Sequence, residues 1–254
     1  MIITSKNNPL IKETASLKEK KGRKELCAFL VEGHKMSLEC LKSPLQIEKI
    51  FYTEAYAKTC EGVFPEDICV TVSEDVMKFL CDEKTPQGII CRVKIPTASK
   101  FAPKGKCLLL DGVADPGNMG AIIRSANAAG FKTLFLTEDC TDPFSPKSVR
   151  ASMSGLFSVE IVFIQREQTA EIFADFPIFV ADMAGENVFT VTPPKAYALA
   201  IGNEGRGLSD TVKKAATKVV SIPMQGGQES LNASVAAGIA MYILSRSEFN
   251  EIII

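Results

Sequence analysis

Apolar runs alternating with helix-patterned stretches predict an α/β protein in which a C-terminal parallel-sheet domain follows a small α/β domain. Three observations carry this expectation. Beyond residue 106 the apolar runs are near-continuous, as in parallel strands covered on both faces. Before residue 96 the runs are shorter and interleave with helical stretches. Between them, residues 94–106 (Lys-Ile-Pro-Thr-Ala-Ser-Lys-Phe-Ala-Pro-Lys-Gly-Lys) combine two prolines, a glycine and charges, which is linker chemistry. The expected layout is a domain over 1–96, a linker over 97–105 and a second domain over 106–254.

In the first part, helical patterning covers 9–21, 34–41 and 74–81, and strands are expected at 28–31, 47–52, 68–72 and 89–93. In the second, strands are expected at 107–110, 133–136, 159–163, 178–181, 198–201 and 219–222, with helices between several of them. Ligands of such sheets sit beyond the C-terminal ends of the strands, where the most unusual segments of this chain also fall.

Bulk composition removes several function classes. With 254 residues and 46% of them apolar, the chain can bury a sizeable core. Residues 1–9 have no apolar run of the secretory type, and the apolar stretch 233–244 is too short and alanine-rich to span a bilayer, so a cytoplasmic protein without membrane contact is expected. Eight cysteines are present, yet no two lie closer than nine residues, which excludes zinc-knuckle and Cys-x-x-Cys spacings and points to buried free thiols. His34 is the single histidine, so no metal is expected and no imidazole base is at hand near the later motifs. The net charge of −1 conceals a basic start: Lys6, Lys12, Lys18, Lys20, Lys21, Arg23 and Lys24 stand against Glu13 and Glu19. That stretch is either a solvated helix face or a phosphate-contacting RNA surface.

Three segments carry candidate chemistry. The first runs from the strand at 107–110 into Asp111-Gly112-Val113-Ala114-Asp115-Pro116-Gly117-Asn118-Met119-Gly120 and a helix. Ile122, Ala126 and Ala129 form its buried face, Asn118 is placed as its N-cap and Gly130 as its stop. Arg124 then lies off the buried face, either as an anion-binding group beside the glycine turn or as the partner of a surface carboxylate. The second, Gly202-Asn203-Glu204-Gly205-Arg206-Gly207-Leu208-Ser209, follows a buried strand, with Ser209 or Asp210 set to cap the next helix. Its glycines serve close approach to a ligand or simply a tight turn, and Glu204 needs a cation or solvent, Arg124 being a candidate. The third, residues 221–235, breaks at Pro223, bends at Gly226-Gly227, and caps a helix with Ser230 or Asn232. Val235, Ile239 and Ile243 form an apolar stripe there. The small residues Ala236, Ala237, Gly238 and Ala240 cost helix propensity, about 1 kcal/mol for Gly238, which implies a close neighbour.

Taken in order, Asp-Pro-Gly-Asn-Met-Gly-Ala-Ile-Ile-Arg, Ile-Gly-Asn-Glu-Gly-Arg-Gly-Leu-Ser, and Ile-Pro-Met through Ser-Leu-Asn-Ala-Ser-Val-Ala resemble the three motifs of the SpoU/TrmH family of RNA ribose 2′-O-methyltransferases, within the SPOUT superfamily. The likeness covers roughly 106–246. Phe-Leu-Val-Glu-Gly at 29–33 resembles the family's small RNA-binding domain more weakly. This resemblance implies a deep trefoil knot, a twofold homodimer, and S-adenosylmethionine held mainly by backbone groups near Gly202, Asn203, Ile222 and Leu231. It also implies that Arg124 serves as base or as phosphate clamp, the former role being a difficult one for a guanidinium. Asn118 and Asn232 would orient ribose and cofactor loops, Ser230 would meet phosphate or ribose, and Glu204 would order Arg124 or the knot. The substrate implied is structured RNA, ribosomal RNA being favoured over transfer RNA. A non-catalytic RNA-binding member, a base methyltransferase and a nucleotide-binding oxidoreductase are the alternatives; the last lacks the Gly-x-Gly-x-x-Gly that should follow the opening strand.

Overall fold

A computed structural model describes residues 2–60, 62–97, 102–225 and 230–249. The chain forms two compact units, Met1–Thr97 with Asp142–Phe157, and Ala98–Thr141 with Ser158–Ile254.

The first unit opens with α1 (Pro9–Ser16), which starts on proline after the Asn8 cap, and α2 (Lys20–Leu26). The single helix expected over 9–21 is therefore two. Gly22 packs so tightly on the Ser16 carbonyl that a Cβ would lie 2.1 Å from its oxygen, so the chain folds back on itself between them. There follow β1 (Ala28–Glu32), α3 (His34–Lys42), β2 (Ile47–Thr53), α4 (Glu54–Ala57), β3 (Cys69–Val72), α5 (Glu74–Leu80) and β4 (Ile89–Lys94). The sheet order is β1-β4-β2-β3, with β3 parallel to β2 and the other pairs antiparallel. Leu30, Phe51, Val72 and Ile90 line the face that packs on Ile11, Val76, Met77 and Leu80.

The second unit begins with β5 (Lys106–Asp111), α6 (Pro116–Ala128) and β6 (Thr133–Thr137). The chain then returns to the first unit for α7 (Pro146–Ser152). A single cut over 97–105 left residues 142–157 with the second domain; the structure groups them with the first. Phe144 stacks on Phe29 at 5.1 Å between ring centroids, and Asp142 pairs with Arg23 at 2.7 Å. Afterwards come β7 (Glu160–Ile164), α8 (Thr169–Ile172), β8 (Ile178–Asn187), β9 (Tyr197–Gly202), α9 (Asp210–Lys214), β10 (Lys218–Ser221), α10 (Ala233–Leu244) and α11 (Arg246–Phe249).

All neighbours in the order β10-β8-β9-β5-β6-β7 are parallel, as the continuous apolar runs predict. Leu109, Phe135 and Val180 bury against Phe173 and Val212. On α10 the buried residues are Ala237, Ala240, Met241 and Leu244, whereas Val235 is 49% exposed. The expected stripe of Val235, Ile239 and Ile243 is thus not the inward face. The small-residue side faces inward instead, toward α6, with which α10 packs. Five cysteines are buried, Cys60 and Cys69 are partly covered and Cys27 is exposed. Among the described residues no helix is long and apolar enough to cross a membrane.

Candidate active site at the ends of β5 and β9

β5 and β9 lie side by side, and from β5 the chain builds outward to β6 and β7 on one side, while β9 and β8 lie on the other. A crevice opens beyond such a reversal of strand order. Here the loop after β5 meets the loop after β9.

At the end of β5, Asp111 is buried and Gly112 takes a φ of +71°, a conformation that favours glycine. Asp115 then caps α6 by accepting the Asn118 N–H at 2.8 Å, with Pro116 in the first turn. Asn118 was expected to be that cap, and the upstream aspartate displaces it. Its side chain is left free for other partners. The Asn118 amide donates to Glu204 Oε1 at 2.9 Å, and its oxygen accepts from Asn232 Nδ2 at 3.0 Å. Asn232 Oδ1 in turn caps α10, accepting from the N–H groups of Ser234 and Val235. A carboxylate only accepts, so Glu204 fixes the amide orientation of Asn118, and Asn118 fixes that of Asn232. One hydrogen-bonded chain thereby joins all three segments.

Glu204 also accepts the backbone N–H groups of Ala114 at 3.1 Å and Asp115 at 3.2 Å. Partial burial works to raise its pKa, yet the bonds from Asn118 and these amides outweigh it and hold the carboxyl below its usual range. Glu204 therefore stays ionised and engaged with the N-terminus of α6, where negative charge is favoured, and it does not pair with Arg124. Arg124 is exposed, roughly 9 Å along the axis of α6 from Asn118. Among the described residues its side chain has no hydrogen bond or ion pair.

The loop after β9 is a closed turn. Asn203 and Gly207 exchange backbone bonds at 3.0 and 2.9 Å. The Asn203 side chain accepts from Gly205 and Arg206 N–H and donates to Gly112 O at 2.7 Å. A Cβ on Gly202 would lie 2.3 Å from the Gly207 carbonyl carbon, so only glycine fits. Ser209 caps α9. Its N–H reaches Asp111 Oδ2 at 2.7 Å, while Asp111 Oδ1 takes Arg166 Nε at 2.7 Å. Arg166 also holds Asp139 at 2.6 Å, and that bond is the main reason the Asp139 pKa is depressed. Sequence reasoning missed Asp111, Asp139 and Arg166. A charged residue ending a buried strand was the available signal, since such a charge needs a partner; the partner itself lies in no motif.

Ile222 and Leu231 are half-buried, Ser230 is exposed, and Gly226 and Gly227 lie outside the described residues. This donor set suits an adenosine-bearing cofactor: half-buried apolar side chains for a ring, loop backbone for its polar edges. Among the described residues no group of histidine, cysteine or carboxylate side chains could hold a metal.

The basic N-terminal stretch divides. Arg23 is 4% exposed and donates to the Leu17 and Lys18 carbonyls as well as to Asp142, so it is structural and withdrawn from the expected RNA surface. Lys18 reaches the Phe79 carbonyl at 2.6 Å. Lys6, Lys12, Lys20, Lys21 and Lys24 remain exposed.

A parallel α/β sheet with an amide–carboxylate chain at its switch point and an exposed arginine alongside has the layout of a ligand-binding enzyme site. Which enzyme is settled by similarity. The family model described as SpoU rRNA Methylase family matches residues 105–242, and one described as MRM3-like substrate binding domain matches 8–91. The 23S rRNA (guanosine(2553)-2'-O)-methyltransferase RlmP of Bacillus subtilis is 30% identical over 95% of this chain and 98% of that protein. The structure of an RNA methyltransferase of the TrmH family from Porphyromonas gingivalis superposes with a TM-score of 0.86 at 31% identity, covering 95% of this chain and 98% of that one. An AdoMet-bound rRNA methyltransferase from Sinorhizobium meliloti gives 0.87 at 29% identity, covering 97% and 98%. The chain belongs to the SpoU rRNA methylase family, as its three motifs led one to expect.

Proposed function

We propose that this chain methylates a ribose 2′-hydroxyl in ribosomal RNA, using S-adenosylmethionine. The observation that carries the proposal is the Glu204–Asn118–Asn232 chain, which brings the three motif segments to one crevice with Arg124 on the same helix. When bound, the cofactor supplies an electrophilic methyl group. Gly202, Asn203, Ile222 and Leu231 would hold it through loop backbone and apolar side chains.

The protein's own task is to position the hydroxyl, worth several kcal/mol and up to about 7–11 in the best cases. Arg124 clamps the phosphate next to the reacting ribose, as a guanidinium with no carboxylate partner among the described residues can. Asn118 and Asn232 present amide groups held in fixed orientation toward ribose and cofactor loop, and Ser230 meets phosphate or ribose. Glu204 holds Asn118 in place and is a positioning residue. The first unit, with its exposed lysines, acts as the RNA-binding domain.

Further features belong to the same reading. The second unit carries a trefoil knot, and the outward face of α10, where Val235 and Tyr242 are exposed, forms a homodimer contact. The protein acts in the cytoplasm, where its substrate is.

Incubation of unmodified ribosomal RNA with labelled S-adenosylmethionine, followed by digestion to nucleosides, tests the central claim. Label in a 2′-O-methylribose, with guanosine the first nucleoside to examine, is the expected result. Label on a base, or transfer only to tRNA, overturns it. Arg124→Lys should lose most activity; a lysine variant near wild type would refute a specific guanidinium role.

A further inference from the structure

The first unit contains a cavity of about 310 Å³ that the methyl-transfer site does not use. Tyr52, Tyr56, Phe64 and Cys69 line it, with Lys58 and Glu66 among the residues around them. Its origin is topological. β2 and β3 pair in parallel at one end of the sheet, with Tyr52 opposite Thr71 and Ile50 opposite Cys69. Phe51 points to the other face and joins the core under α1 and α5. Tyr52 and Cys69 therefore share the face on which α3 packs against β1 and β4, past the strands that helix covers.

Tyr56 is held in place by its hydroxyl, 2.6 Å from His34 Nδ1, and Phe64 is 8% exposed, so two of the aromatic walls are fixed. Tyr52 is half-buried and lines the cavity. Lys58 and Glu66 are exposed. Aromatic rings, hydroxyl and thiol groups, and Lys58 beside Glu66 at the exposed rim make up a lining that can receive an unstacked base while its phosphate stays outside. The volume falls at the small-ligand end of binding cavities, enough for one base and not for a folded element. Residues 8–91, which span the cavity, match the substrate-binding-domain model.

We infer that this cavity takes up a single extruded nucleobase of the RNA substrate, with Tyr52 as the stacking platform and Lys58 as the contact to the adjoining phosphate. The inference rests on the RNA-methyltransferase reading of the whole chain. Its role is recognition: the base held here is separate from the nucleotide whose ribose is methylated.

The test uses the full chain and in vitro-transcribed ribosomal RNA carrying 4-thiouridine or 6-thioguanosine. Ultraviolet crosslinking of the wild type should place the crosslinked peptide within residues 52–69. In filter binding, Tyr52→Ala should weaken affinity by roughly 5- to 150-fold, the span of one base–aromatic stack. KM for RNA should rise in step while kcat changes little, and Tyr52→Phe, which keeps the ring, should recover most of the loss. Lys58→Ala, at an exposed position, gives a second reading that does not depend on packing and should reduce the salt dependence of binding by about one phosphate contact. Crosslinks confined to other parts of a wild type that methylates RNA, with both variants binding normally, would overturn the inference and leave the enzyme reading intact. Quenching of tyrosine emission by guanosine monophosphate, in a chain with four tyrosines and no tryptophan, together with no RNA crosslink, would make this a small-molecule site and likewise overturn it. A wild type that neither binds nor methylates the RNA would sink the enzyme reading and the inference with it.

Discussion

Replacing Asp111 with asparagine keeps the side chain's shape and removes its charge. Asp111 is 2% exposed, and its two oxygens serve two donors, Arg166 Nε and the Ser209 N–H, each at 2.7 Å. An amide has one acceptor oxygen, so one of those donors would face an NH2 group. An orphaned donor costs about 1–3 kcal/mol. Removing one member of a buried ion pair costs about 3–5 kcal/mol in full. Here that figure is reduced, because Arg166 is 20% exposed and keeps Asp139 at 2.6 Å and Glu138 at 3.4 Å. The two effects overlap at the same oxygen atoms, and a combined loss of about 2–4 kcal/mol follows. At about 2–4 °C per kcal/mol for a chain of this size, Tm should fall by roughly 4–16 °C. Urea and thermal unfolding followed by circular dichroism measure this directly. Because the Ser209 N–H ties down the far end of the 202–209 loop, KM for S-adenosylmethionine should rise more than kcat falls. A loss below about 0.5 kcal/mol, the size of an ordinary surface substitution, would refute the claim that Asp111 anchors the loop.

Other consequences are equally open to measurement. Glu204→Gln should cost less than about 1.5 kcal/mol of stability, since its carboxylate is exposed, while kcat/KM falls roughly 10- to 100-fold as Asn118 loses its fixed orientation; steady-state transfer beside urea unfolding separates the two, and an unchanged kcat/KM would contradict the positioning role. Gly202→Ala places a Cβ 2.3 Å from backbone that cannot yield, so cofactor binding by calorimetry should be lost with at least about 2 kcal/mol of stability; full affinity would show that the turn is not needed. Bonding to Arg166 depresses the Asp139 pKa, and bonding to Lys213 depresses that of Asp182 and raises that of Lys213. The carboxylate contributions are complete above an unfolded value of about 3.9 and vanish as pH falls through the lower folded values, and the lysine contribution is complete below about 10.4 and vanishes as pH rises through its raised value. Urea midpoints should therefore drop below about pH 4 and above about pH 10.4, and Asp182→Asn should flatten both limbs; a profile unaltered by that substitution would rule the pair out as their source.

The strands of the second unit were legible because a parallel sheet covered on both faces needs continuous apolar runs of strand length. What was not legible depends on partners distant in sequence. Residues 142–157 read locally as part of the second domain, yet Phe144 and Asp142 find Phe29 and Arg23 more than 100 positions earlier. Gly22 looks like an ordinary helical blemish until Ser16 lies against it. A charge count over residues 1–24 cannot tell the buried Arg23 from the exposed lysines beside it, because the sum is linear and burial is not.

Asn118 shows how a correct motif can carry a wrong local reading. Asparagine and aspartate are near-equal helix caps, and both Asp115 and Asn118 precede apolar helical residues. Proline in the first turn decides between them: its fixed φ and missing N–H suit the position just inside a helix, so the helix starts at Pro116 and the cap is Asp115. Had Asn118 been the cap, its side chain would have been turned toward the first N–H groups of its own helix instead of lying between Glu204 and Asn232. The three-residue extension of α6 thus releases one amide, and that amide is the only described link between Glu204 and the helix that begins at Ala233. Joining the motifs is a property of where α6 starts. A Pro116→Ala substitution that let the cap drift toward Asn118 should consequently disturb methyl transfer more than stability, without any change in the residues of the crevice itself.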